Sequence, residues 1–342
     1  MPLPILLLRK RKLRHSLGKP SRSDFVQMEF MGDNLTSYAQ ELLKENLYMG
    51  LEFEEQEKLE IMLRQDVEVL SQNIEMQLGS GYKGVEFELY DDTGFRICSE
   101  LAGKNGYRGV IKCSRLIVIG TYQMFYCMDY SNIVSDGKNI DNIKMILFNM
   151  SMMCMFYHEL AHIYRGHLGL YNVWKDEGSL EQHCLDIQTL EWDADNYAAT
   201  QMADWTTRVK KALLVDDRSD FAMKMACGAI HGMMYWQRQE NDFCNISNKE
   251  HLPIFYREVI MLKCIGDLLN NLYDISSYIV GYEIEFKRIQ GVSFDAAKAY
   301  FDSTDGNEGY ISKIERNWEN INKCLIPYSV FPLDELVSFE SN

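Results

Sequence analysis

The sequence predicts an α+β fold, in which a small β-sheet precedes a mostly helical body. Segments that alternate apolar and polar residues, which is typical of half-buried strands, are confined to positions 85–113. Apolar residues at helical spacing occupy long segments of the remaining chain. Because 46% of the 342 residues are apolar and 12% are aromatic, we expect a sizeable buried core, in one large domain or two small ones.

Positions 1–33 are basic, contain proline and lack apolar periodicity, unlike the rest of the chain. We interpret them as a disordered leader, or as an over-extended start with Met28 or Met31 as the initiator. Helices are then expected over 35–48 and 54–78, the second with apolar residues on one face and acidic residues opposite. The chain is accordingly divided into a leader, an N-terminal helical segment packed on the core, a main domain and an irregular C-terminal tail, over 1–33, 34–82, 83–327 and 328–342.

Three strands are expected after the second helix. Positions 85–90 alternate apolar and acidic residues, 91–94 carry a turn signal of Asp, Thr and Gly, and 95–98 return, which together predict a hairpin. A third strand is expected over 107–113. Ser114 follows this strand and is a residue type that caps helices, so we expect a helix to begin there.

After the strands the chain is predicted to contain several helical segments, the irregular stretch 170–181 and the irregular tail. That stretch contains several charges and no clear periodicity, so it is interpreted as irregular, and its position makes it a candidate gating loop. Helices are expected over 115–133, 143–165, 185–203, 219–237, 254–282 and 294–301.

The segment 143–157 is almost wholly apolar and leads directly into His158-Glu159-Leu160-Ala161-His162. Residues i and i+4 of a helix lie on one face, so the imidazoles of His158 and His162 could bind one metal ion, with Glu159 beside a bound water molecule. An apolar helix is buried, and buried His and Glu side chains need partners. The H-E-x-x-H pattern therefore predicts a zinc site on this helix.

A catalytic zinc ion needs three protein ligands and an open coordination position. Glu191 is the favoured third ligand, and Asp195, four residues later on the same helical face, can accept a hydrogen bond from a liganding imidazole. His167 and His183 remain alternatives for the third ligand. A third histidine six residues after the second, as in another zinc pattern, is excluded because Leu168 occupies that position.

At this point the chain resembles gluzincin-type metallopeptidases, which include the CAAX prenyl-protease-like enzymes and share H-E-x-x-H followed by E-x-x-A-D, here residues 191–195. Those enzymes carry a later histidine with an arginine six residues on, as His251 and Arg257 are here, although Leu252 is inserted before the proline. The order and spacing over 115–257 are most similar to the Lit-type phage-exclusion peptidases of bacteria.

The resemblance implies a zincin-like zinc metallopeptidase domain over 83–327 that cleaves an intracellular protein during phage defence. Zinc would lower the pKa of its bound water, and Glu159 would act as general base. The resemblance also makes His251 and Arg257 candidates for stabilising the oxyanion of the intermediate.

Composition excludes some classes of partner. The net charge of −15 argues against a nucleic-acid-binding surface, and the apolar run before His158 is too short to span a bilayer. The nine cysteines are odd in number and contain no C-x-x-C pair, which predicts free thiols in a reducing cytoplasm. Two alternatives stay open: a zinc hydrolase of a non-peptide amide, and a non-catalytic sensor that has kept a metal-binding fold. The oligomeric state stays open as well.

Overall fold

The structure is a computed structural model, and its ordered elements run from the helix at position 53 to the turn at position 330. The leader, the predicted helices at 35–48 and 294–301, and His251 lie outside the residues that it describes. Those residues are 53–78, 84–91, 96–102, 108–127, 140–212, 229–230, 233, 252, 254–268 and 310–330. The main elements are α1 (Phe53–Leu78), β1 (Val85–Tyr90), β2 (Ile97–Ala102), β3 (Arg108–Ser114), α2 (Arg115–Cys127), α3 (Ile140–Tyr164), α4 (His167–Asp176), α5 (Cys184–Ala212), α6 (Ile254–Leu268) and α7 (Tyr310–Leu325).

These elements confirm the α+β class, with a mostly helical body and a small sheet ahead of α3. The predicted hairpin between the first two strands is wrong. The strand order is β1-β3-β2, with β1 parallel and β2 antiparallel to β3. The central strand β3 carries Ile111 and Cys113, which are fully buried. The backbone N–H and C=O groups of a buried strand need hydrogen-bond partners, and β3 has a neighbouring strand on each side to provide them.

The apolar helix α3 lies at the centre of the core, between the sheet and α5. Phe156 packs edge-on against Phe87 of β1, with 5.1 Å between ring centroids. Gly109 of β3 allows α3 to approach, because a Cβ there would lie 2.6 Å from the Cδ1 atom of Ile163. The predicted burial of α3 is therefore confirmed, and it explains why this helix is apolar on nearly every side.

Helix α1 packs on this core through its predicted apolar face, since Leu63, Val67 and Leu70 are buried. The predicted cap of α2 is also present. The backbone N–H of Ile117 donates to the Oγ atom of Ser114 at 3.4 Å. Local sequence signals thus determine both helix positions.

The prediction of an irregular stretch at 170–181 is wrong. The candidate gating loop depended on that stretch being irregular, so it is no longer supported. Gly166 ends α3 with a φ of 85°, and α4 begins at the next residue. Leu170 and Trp174, one turn apart on α4, are buried in a small second cluster with Ile321 and Leu325 of α7. This stretch is helical because α7 covers its apolar face, and α7 itself is absent from the predicted elements.

The segment after α7 returns to the end of α3. The N–H of Val330 donates to the carbonyl of Tyr164 at 2.8 Å, and Tyr328 lies so close to Gly166 and Gly169 that a Cβ at either would be within 2.9 Å of it. Among the helices that the structure describes, none is both long and apolar enough to cross a membrane.

Candidate metal centre

Helices α3 and α5 bring three potential metal ligands together. The Nε2 atoms of His158 and His162 are 3.1 Å apart. The carboxylate of Glu191 lies 3.3 Å from the first and 3.4 Å from the second. Ligands of a tetrahedral zinc ion are about 3.3 Å apart when each is about 2.0–2.1 Å from the metal. These three side chains therefore form a group that could hold a metal ion.

Small residues allow the two helices to approach each other at this point. Ala161 of α3 and Ala194 and Ala198 of α5 are fully buried in the core. The ligands occupy i and i+4 on α3, and Glu191 faces them from the second turn of α5. Sequence analysis predicted these three residues as the ligands.

Glu159 is also buried, next to the first ligand on α3. Burial raises the pKa of the Cys98 thiol, and the charge of Glu159 raises it further. Cys98 belongs to β2, which is the outermost strand of the described sheet on that side. The carboxylate of Glu159 is thus within electrostatic reach of an edge strand.

Asp195 lies behind the first ligand, as predicted. One of its carboxylate oxygens is 3.0 Å from Nδ1 of His158, on the far side of the ring from the Nε2 atom that faces the other ligands. The guanidinium of Arg257 donates to both Asp195 oxygens, at 2.7 and 2.8 Å. Burial raises the pKa of Asp195, but Arg257 outweighs it and the pKa is lowered. Asp195 is therefore an ionised carboxylate beside the imidazole, close to Nδ1 of His158 although the two atoms are not aligned for a hydrogen bond.

The structure describes the surroundings of Arg257, which the resemblance made a candidate for stabilising the oxyanion. Its side chain is almost fully buried, it pairs with Asp195, and its Nη2 atom is 4.0 Å from Glu191. This places the guanidinium behind the ligands, where it neutralises and orients a carboxylate. The described contacts favour a positioning role over direct contact with an oxyanion.

The pKa of His158 agrees with a site in which a metal ion can replace the proton of the imidazole. Burial lowers the pKa of His158, but the carboxylates of Asp195 and Glu191 outweigh it and raise the pKa to about 10. A metal ion would displace that proton, because imidazole ligates in its neutral form. The same two carboxylates would then stabilise the bound cation.

Three further buried residues lie behind the second ligand, and sequence analysis named only His167 among them, as an alternative third ligand. Nδ1 of His167 is 3.1 Å from Nδ1 of His162, and Nε2 of His167 is 3.0 Å from a carboxylate oxygen of Asp193. Arg165 donates to both oxygens of Asp193 through its Nε and Nη2 atoms. Burial raises the pKa of Asp193, but Arg165 outweighs it and the pKa is lowered.

The charged residues around the group have a net negative charge that a divalent cation could neutralise. Asp195 with Arg257 and Asp193 with Arg165 are two neutral ion pairs. The carboxylates of Glu159 and Glu191 then contribute two negative charges in a buried environment. A divalent cation would compensate them, whereas buried uncompensated charge is costly.

The two alternative third ligands lie elsewhere. His167 contacts the back of His162, away from the Nε2 atoms that face each other. His183 pairs with Asp186 at 2.7 Å and stacks on Trp174, with 4.3 Å between ring centroids. Neither belongs to the metal-binding group of the described residues. The geometry thus favours Glu191.

Comparisons of the chain with protein-family models, with curated proteins and with solved structures give no match.

Proposed function

We propose that the protein is a zinc-dependent endopeptidase with a zincin-like metallopeptidase domain. The observation that carries this proposal is the triangle of two imidazole nitrogens and one carboxylate oxygen, with sides of 3.1, 3.3 and 3.4 Å. These separations match those expected for three ligands of one tetrahedral zinc ion. The adjacent Glu159 supplies a carboxylate where hydrolysis requires a base.

The ligand set favours a catalytic site over a structural one. Structural zinc sites are normally closed by four protein ligands, whereas catalytic sites have three and an open position. Among the described residues the group contains three members. Imidazole and carboxylate ligands also suit zinc, although they accept other first-row metals. A non-catalytic sensor would not need Glu159 beside an open position.

The residues of the chain have separable tasks in the proposed reaction. When bound, zinc would polarise the substrate carbonyl and acidify the attacking water. Glu159 accepts the proton of that water and delivers it to the nitrogen of the leaving amine. Asp195 holds the ring of His158 with Nε2 directed to the metal, and Arg257 holds Asp195.

A peptide is the substrate that this arrangement suits best. Extended peptides bind to sheet edges by adding a strand, since the main-chain groups of an edge strand can form hydrogen bonds with them. Strand β2 is the outermost of the described strands on its side, and it packs against α3, the helix that carries His158, Glu159 and His162. A non-peptide amide would make no use of such an edge.

The resemblance to the Lit-type peptidases provides the biological setting of the proposal. It suggests an intracellular protein as the substrate and phage exclusion as the process. None of the six cysteines in the described residues forms a disulfide, which agrees with a reducing compartment.

The decisive variant is Glu159→Gln. It should retain zinc and reduce cleavage by about 10²- to 10⁴-fold, because the amide cannot act as a base. New protein termini are compared across the proteomes of cells that express the parent, Glu159→Gln or the control His183→Ala. Termini that appear with the parent and the control, and not with Glu159→Gln, would support the proposal. Equal cleavage by Glu159→Gln would rule out the general-base role.

A further inference from the structure

We infer that His167 is a positioning residue for the metal ligand His162, within a chain of hydrogen bonds that continues to Asp193. The inference rests on the proposed metal site and extends it to residues outside the ligand set. His167 is 1% exposed, and its two ring nitrogens lie 3.1 Å from His162 and 3.0 Å from Asp193. Both ring nitrogens of a buried imidazole are therefore used.

Metal binding by His162 determines which ring nitrogen carries the proton in each of the two imidazoles of this hydrogen-bond chain. His162 must offer the lone pair of Nε2 to the metal, so its ring proton is on Nδ1. That N–H donates to Nδ1 of His167, which must be the acceptor. The proton of His167 is then on Nε2, where it donates to Asp193. Each hydrogen bond has one donor and one acceptor, and His167 stays neutral.

The carboxylate of Asp193, which ends this chain of hydrogen bonds, is itself held in place. Asp193 accepts two hydrogen bonds from Arg165, whose guanidinium lies 5.5 Å from the ring centroid of Trp318 in α7. Asp193 is also two residues after Glu191 on α5, so both the third ligand and the support of the second ligand belong to one helix. These hydrogen bonds thereby link α3, α4 and α5 around the proposed metal site.

Local backbone geometry positions His167 for this role. It is the first residue of α4, directly after Gly166 with a φ of 85°. A Cβ at Gly166 would lie 2.7 Å from the backbone of Tyr328 and Ser329, so this position requires glycine. The turn brings an imidazole five residues after His162 back to its ring, which a continuous helix would not do.

The two metal-binding histidines are consequently supported by different chemical groups. His158 contacts the charged carboxylate of Asp195, whereas His162 contacts the neutral imidazole of His167. Outer partners of liganding histidines typically contribute 10- to 100-fold, about one to two orders of magnitude, to metal affinity. Loss of the acceptor at position 167 should therefore weaken metal binding without removing a ligand.

The test compares His167→Asn with His167→Leu, which have similar size but differ in whether they can accept a hydrogen bond. Zinc affinity is measured by competition with a chelator, and the cobalt(II)-loaded proteins are compared by visible absorption. His167→Leu should bind zinc about 10- to 100-fold more weakly and shift the cobalt bands. His167→Asn should remain within a few-fold (~3) of the parent, because its Oδ1 atom can replace Nδ1.

His183→Ala is the matched control, since His183 also pairs with an aspartate but contacts none of the three ligands among the described interactions. It should bind zinc like the parent. Equal affinities for His167→Leu and His167→Asn would overturn the inference. A parent that binds zinc but cleaves no protein would contradict the peptidase alone, and the affinity comparison would still decide the role of His167. A parent that binds no zinc would overturn both.

Discussion

Glu191 is the residue whose loss should separate metal binding from folding most cleanly. It reaches the two histidines from another helix, and its side chain is buried beside them. In Glu191→Ala, zinc content should fall from about one ion per chain to nearly none, because two imidazoles alone bind zinc weakly. Metal content after gel filtration measures this.

His167→Ala and His183→Ala serve as comparisons for Glu191→Ala, since both histidines were candidates for the third ligand. Each should still contain zinc when the metal is supplied in excess, even though His167→Ala binds it less tightly. Zinc that persists in Glu191→Ala and disappears in His183→Ala would show that the ligand set is wrong.

At the scale of residues, periodicity predicts the parts of the site that lie within one helix. His158 and His162, like Glu191 and Asp195, are four residues apart, and a helix places such pairs on one face. The contact of His167 with His162 could not be predicted in this way. It depends on the turn at Gly166, where Tyr328 and Ser329, far away in the sequence, leave no room for a Cβ.

At the scale of elements, local patterns predicted the helices and strands that carry their own signals, and they failed where pairing is nonlocal. α1 and α3 were predicted within a few residues of their observed bounds. The order β1-β3-β2 was not, because a turn signal between two strands does not determine which strands pair. Helix α4 was missed because its apolar face is covered by nonlocal partners, α5 and the distant α7.

Helix α1 offers a test of how burial affects the pH dependence of stability. Burial raises the pKa of Asp66 from 3.8 to about 6. A raised carboxyl pKa means that ionisation disfavours the folded state. The free-energy cost of ionising Asp66 in the folded state is absent below the unfolded pKa of 3.8 and reaches its full size above about pH 6. Asp66→Asn should therefore stabilise the protein by about 1–2 kcal/mol at pH 8, a value reduced from the full shift because the side chain is partly exposed.

The advantage of Asp66→Asn should shrink as the pH falls toward 4 and disappear below the unfolded pKa of 3.8, where both states bind the proton. Urea unfolding of parent and variant between pH 4 and 8, each at the same metal occupancy, measures the difference. Glu68→Gln is the control on the same helix, since Glu68 is exposed and bonds to Gln72. An Asp66→Asn advantage that is constant with pH would contradict the assigned cause.

At the scale of the whole molecule, the end of the described chain packs against the end of the helix that carries two of the candidate metal ligands. Tyr328 packs over α4, and the N–H of Val330 caps the carbonyl of Tyr164. α7 also contributes Trp318, which lies near Arg165 and contacts the ring of Trp192. Segments close to position 330 are thus part of the support of a site formed at 158–195.

A double-mutant cycle between Gly169 and Tyr328 tests this long-range support. Alanine normally stabilises a helix relative to glycine by about 0.5–1 kcal/mol. A Cβ at Gly169 would, however, lie 2.7 Å from the ring of Tyr328, so Gly169→Ala should destabilise the protein by about 1–3 kcal/mol. In the Tyr328→Gly background both the ring and the Cβ, which lies 2.8 Å from the new methyl group, are gone, and Gly169→Ala should become neutral or stabilising. The free energy of unfolding in urea gives the coupling, and simple additivity of the two changes would show that the contact of Tyr328 with α4 contributes nothing to stability.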